Sequence, residues 1–360
     1  MGVGRTKNKL KEQKHMAHRI SEFDKQQGLV QAWHGLTEVE PAISLDNNWL
    51  RTWELVPVTL EKKGLPTKWT ILECTDLGEK LEIGQPYNPD SFQPVNNAAF
   101  LEMIKDSIAG TPHVVSSVGS VRNRGRVFVS IELNGMEKFK AAGRDFGSFL
   151  NFGNGHDKSS VLWVNTSNIC TVCDNTFTSN LISVENKIAK SDDVADDTLN
   201  LRQRHTKNVK LRLPELSKVI DMAIGVQAEF KLAMDTLHEL VIPMPEATSL
   251  FAGFIGRNVA KPLVKNGLST RSMNTVTRLG DLFVNGKGNR GETLADAFSA
   301  VTDFYTHFSS GGDNIHRQVL SSEYGSGNVN KQAFWNMVQM PESRYKAIEL
   351  GDELLTNTKD

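Results

Sequence analysis

The order of the secondary-structure signals is the strongest constraint on the fold of this chain. Short runs of β-branched and aromatic residues between turn signals occupy residues 49–174, and each run predicts a strand. The residues after this region carry apolar side chains at helical spacing instead. Because strands and helices are segregated and do not alternate as βαβ units, the sequence predicts an α+β fold. We expect a mostly antiparallel sheet in the N-terminal half, packed against long helices from the C-terminal half.

Helices are predicted where apolar residues recur at helical spacing between capping and stop signals. The longest begins at Pro214, stops at Pro243 and has roughly 27 residues, which corresponds to about 40 Å. Thr293 and Asp296 resemble a capping box at the start of another helix. The remaining predicted helices are one from Asn97, as its cap, to Gly110, one over about 174–190, and two near 330–340 and 342–355.

The predicted organisation is a single composite domain, because no clean linker separates the strand-rich region from the long helices. Residues 29–340 form this α+β domain. Residues 1–28 are predicted to be a flexible charged arm, since they carry only a weak helical pattern at the start of the chain. Residues 341–360 are predicted to be a short helical or frayed acidic tail.

The charges are balanced overall but segregated along the chain. The formal net charge is −1, yet residues 1–20 hold six cations against one acid. Residues 202–212 hold five cations and no acid, and residues 257–290 hold seven cations against one acid. Segregation of this kind can place a basic face on a neutral protein. It therefore favours binding to a polyanion at one surface.

Composition and apolar patterning exclude several classes of protein. The sequence has no run of 18 apolar residues, so we expect no membrane span. The first residues are charged and no apolar run follows them, which argues against a secretory signal. Three cysteines are too few for a disulfide framework and favour a reducing compartment. The expected location is the cytoplasm.

The segment Arg122-Asn-Arg-Gly-Arg126 joins two strand-like runs and predicts a hairpin turn. Asn123 and Gly125 tolerate the positive φ that such turns require. Arg122, Arg124 and Arg126 would then project from the hairpin tip, where guanidinium groups suit phosphate oxygens. The alternative is a solvated turn whose charges only maintain solubility.

Two further segments are predicted to contact phosphates. The first is the acid-free stretch around Arg204, Lys207 and Lys210, for which a solvated face is the alternative. The second is Gly286-Lys-Gly-Asn-Arg-Gly291, which places cations beside a helix N-terminus, with a flexible loop as its alternative. Its G-x-G-x-x-G spacing does not predict dinucleotide binding, because the context is helical. The predicted nucleic-acid-binding residues are Arg122, Arg124, Arg126, Arg204, Lys207, Lys210, Lys287 and Arg290.

No catalytic residue, metal site or cofactor is predicted. Cys170 and Cys173 form at best half of a zinc site, and two small core residues are the simpler interpretation. His156 and Asp157 are adjacent in a loop, where a turn held by the carboxylate is the simpler interpretation. A metal-dependent enzyme on nucleic acid or nucleotides, using these two residues and His205, remains an alternative hypothesis.

Short motifs in a fixed order support a family resemblance. From about residue 31 to residue 340 the chain resembles the phage/plasmid-like family built on domain of unknown function 932. The resemblance implies a protein of a phage, prophage or conjugative element, located in the cytoplasm of a bacterial host cell, and it implies no particular activity. The motifs are Ala-Trp-His-Gly at 32–35, Gly-His-Asp-Lys-Ser-Ser at 155–160, Val-Cys-Asp-Asn-Thr at 172–176, Arg-His-Thr-Lys-Asn at 204–208 and Thr-Leu-Ala-Asp-Ala-Phe-Ser-Ala-Val-Thr-Asp-Phe at 293–304.

The predicted architecture also resembles that of single-strand annealing proteins of the Rad-fifty-two type, by layout and not by sequence motif. The leading hypothesis is therefore a non-enzymatic protein that binds single-stranded DNA and anneals strands during recombination. Such a protein would form a ring or a helical array, and a phage exonuclease or a host single-strand-binding protein would be a further partner. A host-factor-binding anti-defence protein is a second alternative.

Overall fold

The computed structural model combines antiparallel sheets with a C-terminal set of helices, which confirms the predicted α+β class. It describes residues 39–40, 45–46, 48–76, 79–121, 124–133, 139–157, 162–170, 176–179, 202–203, 216–258, 266–309, 321–322 and 325–358. The strands are β1 (Val39–Glu40), β2 (Glu54–Lys62), β3 (Leu65–Asp76), β4 (Glu79–Tyr87), β5 (Val114–Val121), β6 (Arg126–Glu132), β7 (Phe139–Ala141), β8 (Arg144–Gly155), β9 (Leu162–Cys170), β10 (Thr176–Ser179) and β11 (Arg202–Gln203). The helices are α1 (Asn97–Ile108), α2 (Leu216–Glu239), α3 (Met244–Gly256), α4 (Thr270–Asn285), α5 (Leu294–His307), α6 (Ser326–Gln339) and α7 (Pro341–Asn357).

The larger sheet is antiparallel and follows the strand order β1-β5-β6-β8-β9-β10, with β7 paired to β8 and β11 paired to β9. Its centre is β8, a 12-residue strand that the sequence pattern did not indicate. Glycine and asparagine are poor strand formers, and they interrupt β8. One of these glycines is needed for packing, because a Cβ on Gly153 would lie 2.0 Å from Cε2 of Trp163 on β9.

The smaller sheet consists of β2, β3 and β4 and supplies side chains to the same core as one face of the larger sheet. Val127, Val129 and Ile131 alternate along β6 and are buried in that core, as their period of two predicts. Helix α1 covers them with an apolar stripe. The cap of α1 is Asn96, which accepts from the Ala98 amide at 2.7 Å, and the predicted cap Asn97 is the first helical residue.

Helix α2 connects the sheet with the helical half of the chain. It contacts β7, β8 and β9, and Phe230 meets Phe146 of β8 edge to face at 5.5 Å. Its described length is 24 residues, close to the predicted 27. The predicted helix over 174–190 is wrong at its start, because residues 176–179 form β10 and pair with β9. The rest of that predicted helix lies outside the described residues.

The C-terminal helices share a second core, and α7 belongs to it. A Cβ on Gly253 of α3 would lie 1.7 Å from the carbonyl oxygen of Ala347, so α3 and α7 touch backbone to backbone. Residues 341–357 were predicted to be a short helical or frayed tail; they form a helix whose Leu354 is fully buried. In the part of the chain that the structure describes, no helix is both long and apolar enough to cross a membrane.

A buried ion pair joins the sheet to the helices. Arg144 begins β8, and its guanidinium donates to the carboxylate of Asp296 and the hydroxyl of Ser299 on α5. The side chains of Arg144 and Asp296 are 5% and 4% exposed. Asp296 also completes the predicted capping box with Thr293, since each side chain accepts from the other's backbone amide. Helix α5 is therefore fixed to the sheet at its first turn.

The same guanidinium fixes the glycine-rich loop between α4 and α5. Arg144 Nε donates to the Gly288 carbonyl at 3.1 Å, and its Nη2 donates to Asn289 Oδ1 at 2.9 Å. Gly288 has φ of 80°, a conformation that a side chain would strain. Arg144 thus holds this loop at Gly288 and Asn289.

We predict that Arg144→Met lowers the free energy of unfolding by about 3–5 kcal/mol, because it leaves a buried carboxylate without its partner charge. Chemical denaturation checks this value. The matched control is Lys346→Met, since Lys346 pairs with Glu342 where both side chains are well exposed. The control should change stability by about 0.5 kcal/mol or less. Equal effects of the two substitutions would contradict the role given to Arg144.

Candidate nucleic-acid interface

The hairpin between β5 and β6 exists, but its two described arginines, Arg124 and Arg126, are not displayed as predicted. Arg124 is only 9% exposed, and its guanidinium lies 5.1 Å from the ring centroid of the buried Trp53. The expectation that Arg124 projects into solvent is therefore wrong, because this side chain turns back over the core. Arg124 itself adopts the positive φ of the turn, at 64°, and Gly125 does not. Arg122 lies outside the described residues.

Arg126 and the Gly-His-Asp motif meet at the base of this hairpin. The amides of His156 and Asp157 both donate to the Gly125 carbonyl, at 2.7 and 3.1 Å. The guanidinium Nε of Arg126 lies 3.9 Å from an Asp157 carboxylate oxygen, and both side chains are mostly buried. The structure thus brings together Arg126, which was predicted to bind nucleic acid, and His156 and Asp157, which belong to the alternative hypothesis of a metal-dependent enzyme.

His156 is a core residue of this cluster. Its side chain is 1% exposed, and Nε2 lies 2.8 Å from Oδ1 of Asn97 at the start of α1. The neighbouring Asn154 donates from Nδ2 to the Val95 carbonyl at 3.0 Å. These bonds attach the chain before α1 to the end of β8. The arrangement organises the core between hairpin and helix, and the described cations of the hairpin, Arg124 and Arg126, are largely buried in it.

The helix N-terminus after the glycine-rich loop is not an open anion site. The carboxylate of Asp296 accepts from the amides of Glu292 and Thr293 at 3.2 Å. The Thr293 hydroxyl accepts from the Asp296 amide at the same distance. Because the chain's own side chains accept from these amides, the amides are not open to a phosphate, and phosphate contact by Lys287 and Arg290 stays a prediction.

Lys287 and Arg290 are nevertheless exposed on that loop and belong to a cationic surface. Arg278 on α4 lies close by, with Cζ 4.4 Å from the ring centroid of Phe308, which directly follows α5. Phe308 is 45% exposed, a large fraction for a phenylalanine. We call Arg278, Lys287, Arg290 and Phe308 the helical patch. Over 270–291 the chain carries four cations against Asp281, so the patch is basic.

An acid and an imidazole border the helical patch. Asp303 of α5 lies with Oδ1 3.9 Å from Nε2 of His307. Burial raises the pKa of the Asp303 carboxyl to about 6, and the positive charges of Arg278 and Lys287 oppose this increase only in part. Asp303 therefore changes charge near neutral pH, within the electrostatic reach of two patch cations.

Sequence reasoning did not identify Arg278, Asp303, His307 or Phe308 as members of one site. Arg278 and Phe308 are 30 positions apart, and only the packing of α4 against α5 brings them together. The sequence feature that could have indicated this site is the motif at 293–304, which ends in Asp303 and Phe304. Asp303 stands out there as an acid in a mostly buried helix.

The other predicted sites cannot be compared with the structure. Arg204, Lys207, Lys210 and His205 lie outside the described residues, as does Cys173. Among the residues whose positions are described, no group of three or more His, Cys, Asp or Glu side chains is arranged to hold a metal ion.

Comparison with known proteins identifies a family and no characterised relative. No curated protein and no solved structure matches this chain. The family model described as "Domain of unknown function (DUF932)" matches residues 88–335, which is more than half of the chain. This segment begins after the smaller sheet and ends in α6, so it contains the larger sheet's central strands, the Arg144–Asp296 pair and the helical patch. The chain therefore belongs to the DUF932 family.

Proposed function

We propose that this protein binds single-stranded DNA without covalent chemistry, and that the helical patch is a binding surface. The observation that carries the proposal is the exposed Arg278–Phe308 pair, with Cζ 4.4 Å from the ring centroid, beside Lys287 and Arg290. Single-strand-binding surfaces combine cations that follow the phosphate backbone with aromatic rings on which bases stack. The helical patch contains both kinds of group.

Its geometry suits an unpaired strand better than a duplex. The Phe308 ring is partly open to solvent, and a base that stacks on it must be unstacked from its own neighbours. The guanidinium on the ring can add a cation–π contact or bind a phosphate. Lys287 and Arg290 extend the cationic surface along the loop, whose backbone is fixed by Arg144. A rigid loop loses little conformational freedom when it binds.

Strand annealing in the recombination of a phage or other mobile element is the biological role that we propose for this binding. Annealing requires that the protein hold the backbone while the base edges stay free for pairing. A contact through phosphates and the face of one ring meets that requirement, because it leaves the Watson–Crick edges open. Burial of His156 in the core further favours a non-covalent mechanism over a metal-dependent enzyme built on that residue.

We predict that Phe308→Ala weakens binding to a labelled oligothymidylate by about 1–3 kcal/mol, because one stacking platform is lost.

We also predict that Lys287→Gln combined with Arg290→Gln makes the slope of log affinity against log salt shallower by about 1.4, or roughly 0.7 for each phosphate released. Fluorescence anisotropy across a salt series measures both effects.

Tyr345→Ala is the matched control for the aromatic substitution. Tyr345 is also exposed and has Arg344 5.6 Å from its ring, but it lies on α7, whose acids outnumber its cations by four to two. This substitution should leave the affinity unchanged. If the wild-type protein fails to retain the oligonucleotide at low salt, or if Phe308→Ala behaves as Tyr345→Ala does, the proposal is wrong.

We predict that DNA binding strengthens as the pH falls through about 6. The folded-state pKa of Asp303 is raised, so its protonated form is favoured in the folded protein and the negative charge beside Arg278 and Lys287 is lost at about pH 6. Removal of that charge should raise the affinity about fivefold, or about 1 kcal/mol.

Asp303→Asn tests this pH dependence. The variant should bind more tightly than the wild type at pH 7.5 and should vary less between pH 7.5 and 5.5. By linkage, the wild type should also lose stability as the pH rises from about 4 through 6, and the variant should not. If the affinity of the variant for DNA changes with pH as much as that of the wild type does, Asp303 is not the cause of the pH dependence.

Self-association into a ring or a helical array stays a prediction. On the side of β5 that faces β1, the described pairing covers only Val118 and Gly119 of this eight-residue strand. An edge with open backbone groups can pair with a neighbouring chain unless it is covered. Light scattering at micromolar concentration, with and without oligonucleotide, should give a mass of several chains; the mass of one chain under both conditions would contradict the prediction.

A further inference from the structure

The hairpin formed by β2 and β3 extends beyond the core and has no assigned role. Residues 57–69 at its distal end are exposed, apart from Leu60 and Thr67, which are half-buried. Both faces of this part of the hairpin are therefore open to solvent, and hydrogen bonds between the two strands hold it together. We call residues 57–69 the arm, which is separate from the flexible charged arm predicted for residues 1–28.

The tip of the arm concentrates positive charge. The arm contains Lys62, Lys63 and Lys68 against the single acid Glu61, and all four residues are exposed. Lys63 and Gly64 form the two-residue turn with φ of 56° and 74°. Lysine is an unusual choice at the first of these positions, where glycine, asparagine and aspartate are preferred. A lysine held at such a position places its charge at the outermost point of the hairpin.

Trp69 gives the arm an aromatic surface next to these charges. It is 42% exposed, and Nζ of Lys68 lies 5.4 Å from its ring centroid. Tryptophan provides the largest aromatic face of any side chain, and a soluble protein usually buries most of it. The combination of an open ring and an adjacent cation is the same as in the helical patch.

A side-chain bridge stiffens the arm below its tip. The Thr67 hydroxyl donates to the Leu60 carbonyl at 2.7 Å and accepts from the Trp69 amide at 3.2 Å. The bond to Leu60 joins the two strands where the register of β2 and β3 shifts, between Thr59 and Glu61. The bond from Trp69 lies within β3, and together the two bonds fix the backbone that carries Lys68 and Trp69.

We propose that the arm is a second contact for single-stranded nucleic acid, in which Trp69 stacks on a base and Lys62, Lys63 and Lys68 bind the adjoining phosphates. The inference rests on the proposed function, because it assigns the same ligand to a separate surface. Charge favours this ligand: three lysines against one glutamate complement a polyanion, and the open indole complements an unpaired base. The arm lies before residue 88, so this contact is additional to the segment that the family model matches.

The test uses the whole chain of residues 1–360 and a labelled oligothymidylate in anisotropy titrations. Trp69→Ala should weaken binding by about fivefold to a hundredfold, the range expected for one lost stacking contact, and Trp69→Phe should restore most of the affinity. Replacement of Lys62, Lys63 and Lys68 by Gln should make the salt slope shallower by up to about 2, at roughly 0.7 per phosphate. The exposed Lys346→Gln on α7 is the control and should leave the slope unchanged.

A spectroscopic measurement reports on Trp69 directly. Stacking on a base should quench its fluorescence, so the quench on DNA binding should be larger in the wild type than in Trp69→Phe. Thermal melting should give similar midpoints for the wild type and the arm variants, because the substituted side chains are exposed.

The outcomes separate this inference from the proposed function. If the wild type binds no oligonucleotide, the proposed function and the arm contact fail together. If Phe308→Ala weakens binding while the arm variants match the wild type in affinity, salt slope and quench, only the arm contact is overturned. If the arm variants change the mass seen by light scattering and leave DNA affinity intact, the arm is a protein-contact surface and the inference is also overturned.

Discussion

The buried contact of Arg144 with the first turn of α5 joins the sheet of this protein to its C-terminal helices. One guanidinium binds the Asp296 carboxylate, the Ser299 hydroxyl and the backbone of the glycine-rich loop. Because a buried arginine without its carboxylate is costly, this contact favours one orientation of sheet against helices. The same contact fixes the loop that carries Lys287 and Arg290, so the position of the exposed cations depends on a bond made in the interior.

Charge and exposure must be considered together to find a binding surface in this molecule. Arg124 and Arg126 lie in a dense basic motif, yet their side chains are largely buried against Trp53 and Asp157. The helical patch and the arm have fewer arginines, but each pairs an open ring with a cation at the surface. Cation–aromatic pairs of this kind are the feature on which our proposal of single-strand binding rests.

Much of the fold could be predicted from the sequence, because periodicity and capping are local. The alternation of Val127, Val129 and Ile131 and the Thr293–Asp296 box led directly to β6 and α5. Strand β8 was missed because glycines and asparagines weaken its pattern, although Gly153 is there to accept the ring of Trp163. Arg124 was misplaced because a turn arginine is normally solvated, and the distant Trp53 that attracts it cannot be inferred from spacing. The helical patch is a tertiary feature: Arg278 and Phe308 become neighbours only when α4 packs on α5.

Ultraviolet cross-linking of the protein to an oligothymidylate, with the linked peptides identified by mass spectrometry, would show which residues lie against the bases. It locates the bases on the chain without any substitution, and it does not depend on the affinity of a variant. We expect links to Phe308 or its neighbours on α5 and on the glycine-rich loop before α5, and to Trp69. Links confined to the hairpin around Arg124, or no links at low salt, would show that neither the helical patch nor the arm binds single-stranded DNA.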